Sequence, residues 1–377
     1  MTTPPLATTF EFDPEFLGRL VGAFPSAASF RSEISREDEM FLKPLAGYGG
    51  NHERACVRYL TVGKQMMDEV RQLVQWAFGG WQQVESVLDF ASGYGRFTRH
   101  LIQEVEPQRV WVSDIYEDAV HFQRELFGVG GLPSMSDPGE FTSPRRFDLI
   151  FVSSLFSHLP SHRFLPWLSK LYSLLSDRGL LVFTTHGIDL VQDAADDFVF
   201  RPISESRSLE GSEYGSTFVS DAFVSGAIRE ATGDSVSWKG FAHGYLGFQD
   251  LYALSRDAGR RFESLRYDPG IFGHVDFCKR TGDQIGLNGW AADPGELSPL
   301  RVRVLAGSKC LAECVPSIER PDIVKLYGSD ALARTGWWCS FPDGAIHATE
   351  WIQVEVARGD DLHEAISLDR LDAMLAW

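Results

Sequence analysis

The stretch Val87-Leu88-Asp89-Phe90-Ala91-Ser92-Gly93-Tyr94-Gly95-Arg96 decides how this chain is read. A short apolar run closes on an acid and then turns through two glycines into a segment with helical spacing. Glycine permits a tight turn, and the helix that follows presents unpaired N–H groups and the positive end of its dipole. A Gly-x-Gly alone also marks ordinary strand-to-helix turns, so its meaning depends on what surrounds it.

Upstream, apolar residues recur three and four apart at Val57, Leu60, Val62, Met66, Val70, Leu73 and Trp76, which predicts an amphipathic helix over 52–78. Downstream of Gln83 the pattern becomes repeated strand-then-helix units. Strands are expected at 86–90, 109–114, weakly at 132–135, and at 147–153 and 179–186. Helices are expected at 96–104, 117–127, 163–176 and 220–230. Two last strands, 235–241 and 248–255, would form an antiparallel edge. Such alternation predicts right-handed crossovers and an α/β fold: a doubly wound, Rossmann-like, mostly parallel sheet of seven strands.

Beyond Arg256 short alternating runs at 274–279, 300–305, 309–315, 337–341 and 351–356 predict a smaller all-β, sandwich-like domain. Asp293-Pro294-Gly295 and Pro342-Asp343-Gly344 supply turn chemistry between them, because proline presets one dihedral and glycine accepts positive φ. At 377 residues the chain exceeds the size of one growing core. The expected division is an N-terminal lead-in or lid over 1–45, in which only 16–24 has helical spacing, an α/β domain over 46–256, and a β domain over 257–377.

With 35 basic against 52 acidic residues, the net charge of −17 argues against a nucleic-acid partner, since phosphate binding depends on clustered Lys and Arg. Arg145-Arg146 and Arg260-Arg261 are short, isolated pairs. Residues 1–10 lack the charged and apolar regions of a signal peptide, and no uncharged apolar run is long enough to span a bilayer. Cys56, Cys278, Cys310, Cys314 and Cys339 form an odd set without Cys-x-x-Cys spacing, so the expectation is reduced thiols in a cytoplasmic protein, with neither disulfide nor zinc.

Asp114, at the end of the second strand and about twenty residues past the glycines, is placed to accept both hydroxyls of an adenosine ribose, or else to cap the next helix. A dinucleotide fingerprint would put a third glycine where Thr98 stands and would not need Asp89. The segment 87–96 resembles motif I of class I S-adenosylmethionine (SAM) dependent methyltransferases, Asp/Glu-x-Gly-x-Gly-x-Gly, with Ala91 in place of the first glycine. The resemblance takes in residues 50–256, including Asp114, the fourth strand Phe147-Asp148-Leu149-Ile150 and the fifth at 179–187. It implies that Asp89, Ala91, Ser92, Gly93, Tyr94 and Gly95 flank the methionine part of SAM. Asp114 and Ile115 would lie at the ribose, Ser136 or Asp137 at the adenine, and Ser153, Ser154 and Leu155 on the opposite wall. It also implies lid roles for Tyr59 and Gly63.

Methyl transfer to a hydroxyl needs alignment of donor and acceptor and a base for the proton, a role that suits histidine near neutral pH. His158, after the fourth strand, and His186, at the carboxyl end of the fifth, belong on the ligand-binding edge of such a sheet, with His243 as a third candidate. His158 and His162 are four apart, but Pro160 intervenes and no third ligand is evident, so no metal site is expected. After the fourth strand the chain carries serines where catechol-type family members carry a metal-binding acid, and no Asn-Pro-Pro-Tyr-like segment follows. A metal-independent small-molecule or saccharide acceptor is the expectation.

Residues 289–294 and 320–322 resemble β-sandwich modules appended to bacterial glycan-modifying enzymes, in which Trp290, Trp337, Trp338 and Trp351 would either stack on a sugar or fill the core. The competing functional reading is a catalytically silent SAM-binding scaffold whose β domain does the recognition; an NAD-dependent oxidoreductase ranks third. The sequence is compatible with a homo-oligomer.

Overall fold

The computed structural model describes residues 8–22, 29–192, 194–204, 206, 208–233, 236–359 and 362–376. The expected strand start at residue 235 and the end of the 16–24 stretch lie outside them. Helices α1 (Pro14–Val21), α2 (Glu39–Gly47) and α3 (His52–Phe78) come first. Then follow β1 (Val87–Phe90), α4 (Thr98–Leu101), β2 (Val110–Ser113), α5 (Glu117–Phe127), β3 (Gly130–Gly131), β4 (Phe147–Val152), α6 (Ser161–Ser173) and β5 (Leu175–Gly187). The α/β part ends with β6 (Phe198–Arg201), β7 (Ser216–Val219), α7 (Asp221–Thr232), β8 (Ser237–Tyr245) and β9 (Gln249–Ser255). The rest comprises β10 (Phe272–Thr281), β11 (Gln284–Ala292), β12 (Leu300–Ala306), β13 (Lys309–Cys314), α8 (Pro321–Tyr327), β14 (Gly336–Pro342), β15 (Trp351–Arg358), β16 (Leu362–Arg370) and α9 (Leu371–Met374).

The chain forms two compact units. One holds Met66–Tyr267 with the described residues of Met1–Phe10 and Ala28–Asp38; the other holds Glu39–Gln65 and Asp268–Trp377 with the described residues of Glu11–Ala27. The expected lead-in over 1–45 is thus shared between them. In the first unit Thr9 bridges Ser35, and the buried Arg99 donates from Nη1 to the carbonyls of Arg31 and Glu33 at 2.9 and 3.0 Å. These bonds give the guanidinium the partners that a buried charge requires.

The first unit is a Rossmann-like sheet in the order β3-β2-β1-β4-β5, the first five strands all parallel. β9 adds antiparallel to β5 and β8 antiparallel to β9, the expected edge. A further pair of strands extends the expected sheet to nine. The extra pair, β6 and β7, has four residues in each strand, too few for a period-2 pattern to announce it. β7 nevertheless pairs in parallel with the last residues of β5, His186 opposite Phe218 and Gly187 opposite Val219. β3 falls at Gly130–Gly131 rather than 132–135 because the backbone runs against neighbouring side chains. A Cβ on Gly130 would meet Trp111 Cδ2 at 2.5 Å and one on Gly131 would meet Arg124 Cδ at 2.5 Å. The helix expected over 96–104 shrinks to the four residues of α4. Phe90, Phe147, Ile150, Val152, Trp167, Leu181, Phe183 and Leu254 anchor the core between the sheet and α6 and α7.

The second unit contains a sandwich of two antiparallel sheets, β10-β11-β14 and β13-β12-β15-β16, which share a core including Ile285, Leu287, Val302, Trp337, Ile352 and Val354. β11 and β16 were not anticipated. Glycines at 286 and 289 interrupt the alternation of β11, where the rings of Trp338 and Trp337 press on the backbone. Of the four tryptophans, Trp337 is core, Trp351 stacks on Phe16 with centroids 5.4 Å apart, Trp290 is half-buried and Trp338 is exposed. The cysteine expectation is corrected as well. Cys314 on β13 and Cys339 on β14 form a disulfide with Cα atoms 6.0 Å apart, while Cys278 and Cys310 are free among the described residues. The two cysteines are 25 residues apart in sequence and meet only because the two sheets pack face to face. Among the described residues no helix is long and apolar enough to cross a membrane.

Candidate functional site

Parallel register sets Phe90, Ser113, Val152 and Phe183 side by side on β1, β2, β4 and β5. The loops leaving these four strands therefore open at one carboxyl edge, where open α/β sheets hold ligands. The turn after β1 takes positive φ at Ala91 (58°), Gly93 (54°) and Gly95 (85°). Gly95 is obligatory on packing grounds, because a Cβ there would lie 2.4 Å from Phe127 Cε2 and 2.8 Å from Gln123 Oε1.

Four side chains hold this turn. Asp114 Oδ2 accepts the Gly93 N–H at 2.8 Å and its Oδ1 accepts the Tyr116 N–H at 3.0 Å, so it caps locally and still faces the loop. Gln123, fully buried on α5, donates from Nε2 to the Gly93 carbonyl at 2.7 Å and to Ser92 Oγ at 2.8 Å. Tyr94 donates its hydroxyl to Asp118 at 2.6 Å and packs on Phe122. Thr98 Oγ1 donates to Asp89 Oδ2 at 2.7 Å. The threonine that spoils a dinucleotide fingerprint thus has its own task, anchoring the strand-end acid. Burial pushes the Asp89 carboxyl up to about 7 against the Thr98 hydrogen bond; Asp114 adds to the rise and the Arg96 guanidinium opposes it.

On the opposite side, Ser153 Oγ lies 2.7 Å from the Tyr245 hydroxyl, and Ser154, at φ 59°, donates its N–H to Thr184 Oγ1 at 2.8 Å. Leu155 is half-buried against the core, and Ile115 is half-buried beyond β2. Ser136 and Asp137 lie exposed beyond β3, with Asp137 Oδ1 accepting the Gly139 N–H at 2.7 Å. Tyr59 and Gly63 belong to the second unit, where both are buried and Tyr59 packs edge-on against Phe41.

Three polar groups escaped sequence reasoning. Gln123 looks like a polar residue on an amphipathic helix. Arg96 and Glu69 each keep one buried polar atom, Nε and Oε2, without a hydrogen bond among the described residues. Glu69 accepts the Leu246 N–H at 2.8 Å, and burial holds its carboxyl well above the usual range. Burial also raises the Tyr245 hydroxyl, opposed by Arg96. No local pattern marks such groups, since their partners are distant in sequence.

The histidines divide. His158 and His186 come together with ring centroids 6.1 Å apart. His158 Nδ1 is 2.6 Å from the Gly215 carbonyl and its ring stacks on Tyr214 at 4.6 Å. His186 lies against Phe218 and Phe248, with Gln249 Nε2 3.5 Å from its Nε2. His243, in the irregular part of β8, pairs instead with Asp189 at 3.1 Å.

Residues 62–216 match the family model described as a methyltransferase domain. No curated protein matches the sequence. Among solved structures the chain is similar to DhpI in its complex with SAH, at 19% identity over 58% of this chain and 94% of that one, TM-score 0.38. It is also similar to SAM-bound CalS10, an amino pentose methyltransferase from Micromonospora echinaspora, at 14% identity over 52% and 91%, TM-score 0.39. A SAM-dependent methyltransferase from Clostridium acetobutylicum is similar at 13% identity over 51% and 91%, TM-score 0.38. The stretch 62–216, similar to a methyltransferase domain, lies on the Rossmann-like sheet.

Proposed function

We propose that this protein is a SAM-dependent methyltransferase that acts, without a metal, on a hydroxyl of a small molecule or saccharide. The carrying observation is the clasp of Gly93 by Asp114 at the carboxyl edge of the sheet. The residues fit the cofactor. Asp114 accepts backbone N–H groups through both oxygens beside the glycine turn, at the position that the resemblance gives to the ribose acid. Arg96 Nε and Glu69 Oε2, buried and unbonded, are available to the polar end of an amino acid. Bound SAM supplies an electrophilic methyl group.

The chain's own part is to orient the acceptor, keep water out and take its proton. His158 is the better-prepared base. Its Nδ1–H donates to the Gly215 carbonyl, which makes Nε2 the basic nitrogen of the ring. His186, beside it, would line the acceptor pocket with Phe218 and Phe248, apolar and aromatic surface of the kind that packs on a ring. His243, held by Asp189, is assigned to support of that loop.

The test is titration calorimetry with SAM and S-adenosylhomocysteine, followed by methyl-labelled SAM offered with phenols, glycans and nucleotide sugars. Absence of cofactor binding defeats the proposal. Binding without label transfer to any acceptor would favour the scaffold reading instead.

A further inference from the structure

Glu69 on α3 is buried within the first unit, and its two oxygens have different surroundings. Oε1 accepts the Leu246 N–H at 2.8 Å, while Oε2 has no hydrogen bond among the described residues. The residue that Oε1 holds is a strained one. Leu246 and Gly247 stand at φ 52° and 72° in the turn from β8 to β9, which the Phe248 N–H closes on the Tyr245 carbonyl at 3.2 Å. Positive φ at both central positions ordinarily selects asparagine or glycine, so a leucine there needs outside support.

This turn touches the loop after β4 and the histidine pair. The Phe248 ring lies 6.3 Å from His186, Gln249 Nε2 donates to Ser154 Oγ at 3.0 Å, and the Tyr245 hydroxyl is 2.7 Å from Ser153 Oγ. It is also within electrostatic reach of the residues that flank the glycine loop. After burial, the charges that act on the Tyr245 hydroxyl are those of Arg96, Glu69 and Asp89.

We infer that Glu69 couples the two halves of the site: its Oε2 receives the α-ammonium group of the cofactor's amino-acid end while its Oε1 holds the turn 245–249 on the acceptor side. The inference rests on the SAM-dependent reading above. An amino acid carries an ammonium and a carboxylate on one carbon. Glu69 and Arg96 offer one acid and one base, each with a buried polar atom, Oε2 and Nε, that lacks a hydrogen bond among the described residues. Burial holds the Glu69 carboxyl well above its usual range against the Leu246 bond, and Asp68 beside it adds to the rise, which favours the neutral acid. An ammonium at Oε2 favours the carboxylate instead. The O–H bond of Glu69 then breaks, its proton goes to solvent, and no other covalent bond changes. An ionised acceptor binds an N–H more strongly than a neutral one, so cofactor entry tightens the hold on Leu246.

S-adenosylhomocysteine, and methylthioadenosine, which lacks the amino-acid end, are titrated calorimetrically into the full-length protein in phosphate and in Tris at neutral pH. The buffer dependence of the heat should report release of about one proton with S-adenosylhomocysteine and none with methylthioadenosine. The Leu246 amide resonance should move downfield with the first ligand only. Glu69→Gln keeps an acceptor for Leu246. It should weaken S-adenosylhomocysteine about tenfold or more and abolish both the proton release and the amide shift, while methylthioadenosine binds as to wild type. Binding of S-adenosylhomocysteine without proton release, release that survives in Glu69→Gln, or equal losses for the two ligands would overturn the coupling and leave the methyltransferase reading standing. Absence of binding by both ligands would remove the two together.

Discussion

The backbone N–H of Gly93 donates to Asp114 Oδ2 across 2.8 Å, which ties the glycine turn after the first strand to the end of the second. The same carboxylate caps the start of the next helix through Tyr116. The helix cap that the sequence offered as one alternative is thus present, and the same carboxylate clasps the glycine turn. Asp114→Ala is expected to weaken S-adenosylhomocysteine binding by about 1.5 to 3 kcal/mol, the range for hydrogen bonds to a charged group. Calorimetry checks this, and unchanged affinity would remove Asp114 from the site.

Ala91 and Gly95 predict opposite effects of changing a side chain in one turn. Ala91 stands at φ 58°, where an L-residue costs roughly 1 to 2 kcal/mol, more than the roughly 0.5 to 1 kcal/mol of added chain entropy that glycine brings. Ala91→Gly should therefore raise the denaturation midpoint slightly. Gly95→Ala forces a methyl into Phe127 and Gln123 and should cost about 1 to 3 kcal/mol. Urea unfolding of the two variants measures both.

Gln123→Met keeps the volume but leaves the Gly93 carbonyl without the amide that now reaches it at 2.7 Å. A buried acceptor stripped of its partner costs about 1 to 3 kcal/mol. Loss of stability together with weaker cofactor binding is expected. Wild-type values for both would show that the glycine loop holds its shape without α5.

Asp89 makes stability depend on pH in an unusual direction. Its carboxyl titrates at about 7 in the folded protein, against about 4 in an unfolded chain. The folded state therefore holds the extra proton between those values, and the contribution present at low pH is lost as pH rises through that window. Asp89→Asn, which keeps an acceptor for Thr98, removes this dependence. The melting temperature of the variant relative to wild type should rise from pH 4 to pH 7 and then level off; a constant difference would contradict it.

His158→Ala should lower turnover by about a hundredfold or more while S-adenosylhomocysteine still binds as in wild type. The acid limb of the wild-type pH–rate profile should be absent in the variant. If His186→Ala produces that pattern and His158→Ala does not, the base is His186.

Local chemistry made much of the first unit legible. The spacing over 52–78 and 117–127 coincides with α3 and α5, because helix periodicity and caps such as Gly128 in the left-handed region are written in neighbouring residues. The turn at 91–95 and the acid at 114 were visible for the same reason. Tertiary structure alone decided the pairing of β7 with β5, the meeting of His158 with His186, the clamp of Gln123 on Gly93, and the Cys314–Cys339 disulfide. Each of these joins groups far apart in the chain, and sequence periodicity reports which face of an element is buried but not what lies against it.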